Sequence, residues 1–284
     1  PIQSTEFDLA AFDLDTPEVV RGAASLFDVP FLRLPHSFVR DRMSIWSHDP
    51  AGTFDSGSHV LPFGREFQEI MHPSIEAGAA AFIGTLSGYP GDSHDYYVPY
   101  DGVARPIPGV WISGSDGARL HEMLAAGAVR VRIAVETRRE LIKSYNIVGE
   151  LPGADDETVI IGSHHDGPWS SAVEDSSGIA MVLAQASYWS QVPQRERPHN
   201  LLFLLNSGHM CGGAGQLAYV EQHAAELEST VLELHLEHIA AEFSDESGEL
   251  RATGQPEVAW WFTSLIPHLQ DAVRDGIEAE DVRR

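Results

Sequence analysis

A single cysteine, Cys211, stands among the 284 residues, so no disulfide can close within the chain and no zinc site can be built on paired thiolates. No stretch approaches the roughly 18 apolar residues of a membrane-crossing helix, and no charged start followed by an apolar run marks a retained signal peptide. Positive charge is scarce: 18 Lys and Arg against 42 Asp and Glu leave a net charge of −24. Such a surface repels nucleic-acid backbones and anionic membranes, so no nucleic acid and no membrane is expected as a partner. The chain starts at Pro1 instead of Met. Removal of an upstream segment is therefore expected, and localisation stays open between cytoplasmic and exported.

What is present is a globular composition, 43% hydrophobic, enough for one large core or two modest ones. Fourteen histidines gather at 94, 164, 165, 199, 209, 223, 235 and 238, as a metal site held by nitrogen and oxygen would require. Thr16, Pro17 and Glu18 read as a helix start, and Val19, Val20, Ala23 and Leu26 recur at helical spacing, which predicts a helix over 16–27. Residues 38–110 are rich in Gly, Pro, Ser, Asp and His, with short strands at Ala79 to Ile83 and Val110 to Ile112 between long loops. Asp116 is the expected cap of a helix ending at Gly127, and Val129 to Val135 alternate as a strand. After a charged connection, Thr137 to Lys143, strands are expected at Asn146 to Leu151, Thr158 to Ser163, Leu201 to Asn206 and Val231 to His238. Helices are expected over Ser176 to Ser190 and Gly213 to Glu226. The alternation predicts an α/β fold with a mixed, mostly parallel sheet and helices on both faces. Ligands gather at the carboxyl ends of such strands, and His164, His209 and Glu237 lie at or just past strand ends.

The segment VIIGSHHDGPWSSAVEDSSG, 159–178, carries the strongest chemical signal. Strand side chains alternate faces, so His164 and Asp166 share a side and His165 faces the other way. A metal-binding histidine usually has its second ring nitrogen held by a carboxylate, and Asp166 is of the right type. Glu174 and Asp175 follow at a helix start. The same residues read equally as a polar turn into a capped helix.

The pieces NIVGELPG (146–153), GSHHD (162–166), AVEDSSG (172–178), GHMCGGAG (208–215) and LEHI (236–239) resemble, in order, the co-catalytic zinc aminopeptidase family that includes glutamate carboxypeptidase. Its pattern is G-x-H-x-D, D-x-x-S-G, E-E-x-G-x-x-G and L-D-M. IEAGAAAFIG, IPGVWIS and MLAAGAVRVRIAV, within 75–135, are similar to the smaller protease-associated α/β domain that many members carry. The likeness implies an N-terminal region 1–140 with a protease-associated domain at about 45–137. It further implies a metallopeptidase-like domain at 141–284 that lacks its C-terminal part. By the family pattern His164 is a metal ligand oriented by Asp166, Glu174 stands where an Asp bridges two ions, and Glu237 stands where a third acid binds. The catalytic glutamate pair falls on His209 and Met210, and the final histidine ligand, expected well beyond residue 280, has no counterpart.

A thioether suits copper(I) and not zinc, so Met210 is a lost ligand. Glu for Asp at 174 and 237 moves each carboxylate out by about 1.5 Å, which backbone or rotamer must absorb. His209 can take the proton of the attacking water, bind the metal, or merely cap its turn. Asp175 is the fallback bridging acid. The ligand set His164, Glu174, Glu237 and Asp175 implies one or two zinc ions, with manganese or another hard divalent ion acceptable. The expected function is a metal-dependent hydrolase of peptide or small amide substrates, with His209 and Asp166 in catalytic roles and a homo-oligomer left open. The alternative is a catalytically inactive relative that binds peptides or a partner. His235 and His238 flank Glu237 and read as packing or hydrogen-bonding residues. Trp169, Trp260 and Trp261 read as core, interface or pocket residues, and Cys211 as a small packing residue.

Overall fold

The protein is described by a computed structural model over residues 3–61, 67–96, 99, 101–138, 140–246 and 249–280; Arg139, in the expected charged connection, lies outside the described residues. Two compact units result. Unit 1 comprises Pro1–Tyr96, Ala104–Arg139 and Glu242–Arg284; unit 2 comprises Tyr97–Val103 and Glu140–Ala241. The sequence led to an expected boundary at 140/141; the contacts divide the chain at 139/140 and again at 241/242. Residues 242–284 return to unit 1, where β-structure at 249–256 packs on the Pro90–Asp92 turn. Tyr97–Val103 goes to unit 2 because Asp101 pairs through its backbone with Cys211.

In unit 1, strands β1 (Gln3–Ala11) and β2 (Ala24–Pro30) precede a short antiparallel pair, β3 (Leu32–Pro35) and β4 (Ser58–Leu61), with α1 (His36–Arg42) between them. Then come α2 (His72–Glu76), β5 (Ala81–Ser87), β6 (Gly109–Ser113), α3 (Gly114–Ala126) and β7 (Arg130–Val135). The sheet order is β6-β5-β2-β1-β7, parallel except for the antiparallel β7 edge. Leu9, Leu26, Ile83 and Ile133 centre its core. The sheet begins at Gln3, well outside the 45–137 range expected for a protease-associated domain.

The helix expected over 16–27 does not form. Pro17–Val20 makes one 3-10 turn, Gly22 takes φ +74°, and Ala24–Leu26 already belong to β2. Four consecutive buried residues open that strand, and a buried parallel strand is a continuous apolar run that periodicity cannot separate from a helix segment. The cap of α3 is also not Asp116: Ser113 Oγ accepts from the Asp116 N–H at 3.2 Å, and Asp116 sits in the first turn, where a carboxylate favours the helix dipole.

Unit 2 contains β8 (Ile147–Leu151), β9 (Thr158–His164), α4 (Ser176–Gln191), β10 (Asn200–Asn206), α5 (Ala214–Gln222) and β11 (Thr230–His235). The order β11-β9-β10-β8 is parallel at β11/β9 and β9/β10 and antiparallel at β10/β8. Alternation along the strands divides two cores. Ile161, Leu201, Phe203 and Leu205 pack with Val182 of α4, while Ile160, Leu202 and Leu204 pack with Tyr219 of α5. Helices therefore cover both faces of a mixed, mostly parallel sheet. β11 stops at His235, not His238 as expected, and His238 adopts φ +52°. Unit 1 closes with β12 (Ala241–Glu246, its first residue grouped with unit 2), β13 (Glu249–Pro256) and α6 (Pro267–Ala279). Among the described residues no helix is long and apolar enough to cross a membrane.

Candidate metal centre

Three segments of unit 2 converge at the carboxyl end of β9. His164, the last residue of that strand, is only 1% exposed. Asp175 caps α4, accepting from the Gly178 N–H at 3.1 Å, with Glu174 directly before it. Ser163 Oγ contacts Asp175 Oδ2 and, at 2.8 Å, the Leu236 carbonyl, tying strand, helix start and the segment after β11 together. The helix start can come this close only because residue 178 is glycine. A Cβ there would lie 2.2 Å from the Leu236 carbonyl oxygen.

The arrangement around His164 is specific to its two ring nitrogens. Nδ1 lies 2.7 Å from the Asp166 carbonyl oxygen, so the Nδ1–H donates there and the Nε2 lone pair faces inward. Around Nε2 stand Glu174 Oε1 at 3.6 Å, Asp175 Oδ2 at 3.7 Å and Glu237 Oε1 at 3.6 Å. His209 stacks on the His164 ring, centroids 4.1 Å apart and 12° from parallel. Donor atoms of His164, His209 and Glu237 all lie within 4.8 Å of one another.

Two further histidines hold the outer acids. His235 Nε2 meets Glu237 Oε1 at 2.7 Å, with Nδ1 3.4 Å from Glu233 Oε1. His238 Nε2 meets Glu174 Oε2 at 2.9 Å. Hydrogen bonds donated to Glu233 and Glu237 raise the His235 pKa to about 10, and His235 in turn lowers that of Glu237 to about 2. Glu174 raises His238. Burial pushes Asp175 above the usual carboxylate range, opposed by its hydrogen bond from Ser163.

The sequence expected the Asp166 side chain to orient His164. Its carbonyl oxygen makes that contact instead, and its carboxylate, 3.9 Å from Nδ1, accepts the backbone N–H groups of His209 at 3.1 Å and Met210 at 3.0 Å. The side chain thus fixes the turn that carries His209. Glu237 and His235 do not share a strand face, because Glu237 lies beyond the strand. Sequence reading missed Ser163, whose one signal was a hydroxyl at the end of an apolar run. It also missed Asn146, whose amide accepts from the Ser207 N–H at 3.0 Å and donates to the Gly215 carbonyl at 2.8 Å. Trp169 and Cys211 are exposed; in unit 1, Trp261 is exposed and Trp260 meets His59 edge-on.

The donor set fits a divalent cation. His164 Nε2 is buried without a hydrogen-bond partner, and the three surrounding carboxylate oxygens stand too far for hydrogen bonds. Three acids about one buried imidazole lone pair call for a positive ion. Nitrogen and oxygen donors are those zinc accepts.

Residues 146–280 match the model of peptidase family M28. A probable leucine aminopeptidase 2 of Aspergillus oryzae (strain ATCC 42149 / RIB 40) is 30% identical over 192 residues, 63% of this chain and 36% of the relative. The Aspergillus fumigatus protein of the same description is 32% identical over 126 residues, 40% of this chain and 24% of the relative. The chain thus spans about a third or less of the length of these relatives. Among solved structures, a peptidase M28 precursor from Shewanella amazonensis SB2B aligns over 84% of this chain and 52% of its own, with TM-score 0.54 and 22% identity. A zinc aminopeptidase from Bacillus subtilis aligns over 84% and 53%, with TM-score 0.51 and 18% identity. These two likenesses concern the fold. Residues 146–280, the stretch that carries His164, Glu174 and Glu237, are thus similar to peptidase family M28.

Proposed function

We propose that the chain contributes the centre of a zinc-dependent hydrolase that cleaves peptide or small amide bonds in the manner of an aminopeptidase. The observation that carries this reading is the buried, unpartnered His164 Nε2 facing Glu174, Asp175 and Glu237 at 3.6 to 3.7 Å. The family match and the relatives described as leucine aminopeptidases support the substrate class. The ion would be held by His164, Glu174 and Glu237, with Asp175 behind them. When bound, zinc supplies Lewis acidity, polarising the scissile carbonyl and making water acidic at neutral pH.

The protein's own groups supply the rest. The Asp166 carbonyl keeps the proton on Nδ1 of His164, so that Nε2 stays a donor. The His209 imidazole, on a turn fixed by the Asp166 carboxylate, takes the proton from water and returns it to the leaving amine. His235 holds Oε1 of Glu237, the oxygen that also faces His164, and His238 holds the outer Oε2 of Glu174, which restrains the two longer acids.

Hydrolysis of leucyl amides, measured with bound zinc counted in parallel, tests this. Chelator and His164→Ala are each expected to lower the rate at least about 100-fold with loss of zinc. His209→Ala is expected to lower kcat about 100-fold or more with zinc retained. Absence of both bound metal and chelator-sensitive hydrolysis would end the proposal.

A second reading rests on the sequence resemblance, by which His209 and Met210 fall where the family has its two glutamates. The chain would then bind peptides without cleaving them. Glutamates introduced at 209 and 210 would create an activity that the parent lacks; an active parent refutes this reading.

A further inference from the structure

Resting on the reading of His209 as the group that takes the proton from water, we propose that Asp101 and Gly102 are positioning residues for it. They clamp the turn that presents its imidazole to the metal centre. The stretch similar to the peptidase family starts at residue 146, so this part of the site comes from a segment well upstream of that stretch.

The turn needs holding. Gly208, Gly212 and Gly213 have φ of +71°, +73° and +72°, and glycine is the residue with most backbone freedom to lose. Two of the turn's hydrogen bonds share one acceptor, the Gly208 carbonyl, which takes the Cys211 N–H at 3.0 Å and the Ala214 N–H at 3.1 Å. Yet the His209 ring must stay stacked on His164, 4.1 Å between centroids, and a reacting group misplaced by about 1 Å can cost about 100-fold in rate.

Two separate segments fix it. The Asp166 carboxylate accepts the His209 and Met210 N–H groups, and Asp101 pairs antiparallel through its backbone with Cys211. The second contact is close. A Cβ on Gly102 would lie 3.1 Å from the Cys211 carbonyl oxygen, and one on Gly212 would lie 3.2 Å from the Asp101 carbonyl oxygen. Gly102 itself holds φ +70°. The Asp101 carboxylate accepts the Val103 N–H at 2.9 Å, a side-chain turn that sets this bend before the segment meets Cys211. Val103 is 62% exposed and Asp101 and Gly102 are exposed as well, so the segment adds little buried apolar surface. Its contribution lies in the contact with the turn.

Gly102→Ala tests this against Gly52→Ala, both in the full chain. The two glycines are left-handed, at φ +70° and +66°, but a Cβ at 52 meets nothing within 4 Å. Both changes therefore carry the same backbone strain, and only the first disturbs the turn. Amide hydrogen exchange at His209 and Met210 is followed by nuclear magnetic resonance, beside bound zinc and leucyl amide hydrolysis. Gly102→Ala is expected to quicken exchange at 209 and 210 at least about tenfold. It should lower kcat about 10- to 100-fold, with KM and bound zinc within about twofold of the parent. Gly52→Ala should match the parent in all four. Asp101→Ala, which removes only the bond to the Val103 N–H, should act in the same direction, and it decides the matter where Gly102→Ala does not fold. Unchanged exchange at 209 and 210 overturns the inference, and so does faster exchange with an unchanged kcat. A parent with neither bound metal nor chelator-sensitive hydrolysis defeats the proposed function, and the exchange rates still decide the clamp.

Discussion

A histidine can be held by its surroundings in either charge state, and the two units use opposite means. In unit 2, His235 lies between Glu233 and Glu237 and stays cationic far above neutrality. In unit 1, His59 packs against the His36 ring at 4.6 Å and edge-on to Trp260 at 4.7 Å, and burial, then the nearby His36, lowers it to about 4. A hydrogen bond to the Val258 backbone and the charge of Glu242 oppose that shift without cancelling it. An unfolded imidazole titrates near 6.5. Between pH 6.5 and 4 the unfolded chain thus binds the extra proton, so stability present above pH 6.5 is lost as pH falls through this window. From pH 7 to 5 the loss assigned to His59 is about 2 kcal/mol. Urea unfolding of the parent and of His59→Gln at both pH values measures it, and the variant should lose less. Equal losses would show that His59 is not the titrating group. Residue type and spacing left the candidate site open between a metal site and a polar turn, the resemblance to zinc aminopeptidase motifs named its donors, and His164, Glu174, Asp175 and Glu237 do meet. Which atom of Asp166 faces His164 was not legible, since carbonyl and carboxylate belong to one letter of the sequence.

Secondary structure was readable where a short apolar run is bounded by turn residues and ambiguous where such a run follows a helix-start signal. In unit 2 the strands β8, β9 and β10 lie within a residue of their expected bounds, because each is a short apolar run closed by polar or turn residues. Over 16–27 the same apolar letters fitted two periods, and contacts with the neighbouring strands decided for β2. Close approach of elements is similarly invisible in the pattern, though it depends on one atom at Gly178. A Cβ there would meet the Leu236 carbonyl at 2.2 Å, Ser163 Oγ at 2.5 Å and Asp175 Oδ2 at 2.6 Å. Backbone cannot rotate away, so Gly178→Ala must push α4 off the end of β9. The expected cost is about 1–3 kcal/mol, with weaker zinc binding, since Glu174 and Asp175 ride on that helix start. Gly276, inside α6, has open space at its Cβ position, so Gly276→Ala should be neutral or stabilising by up to about 1 kcal/mol. Urea midpoints and zinc titrations of the two variants provide the comparison. Gly178→Ala no more harmful than Gly276→Ala would remove close packing as the reason for the glycine.

At the scale of the whole chain, the division into units was the least legible feature. Unit 1 draws on three separate stretches and unit 2 on two, and contacts distant in sequence leave no periodic trace in it. Net charge, by contrast, is read directly: −24 over 284 residues. Charge of one sign repels itself most when the chain is compact, so folding works against this field at neutral pH. Salt shortens the range of that repulsion from about 30 Å at 0.01 M to about 8 Å at 0.15 M. Sodium chloride raised across that interval at pH 7 should therefore lift the thermal midpoint by a few degrees, about 2–4 °C for each kcal/mol relieved in a domain of 150–250 residues. Near pH 4.8, the isoelectric point given by the sequence, net charge vanishes and so should the lift. Scanning calorimetry at both pH values separates this field from local ion pairs, which salt weakens. A midpoint that falls with salt at pH 7 would mean that attractive pairs outweigh the repulsion of the excess acids.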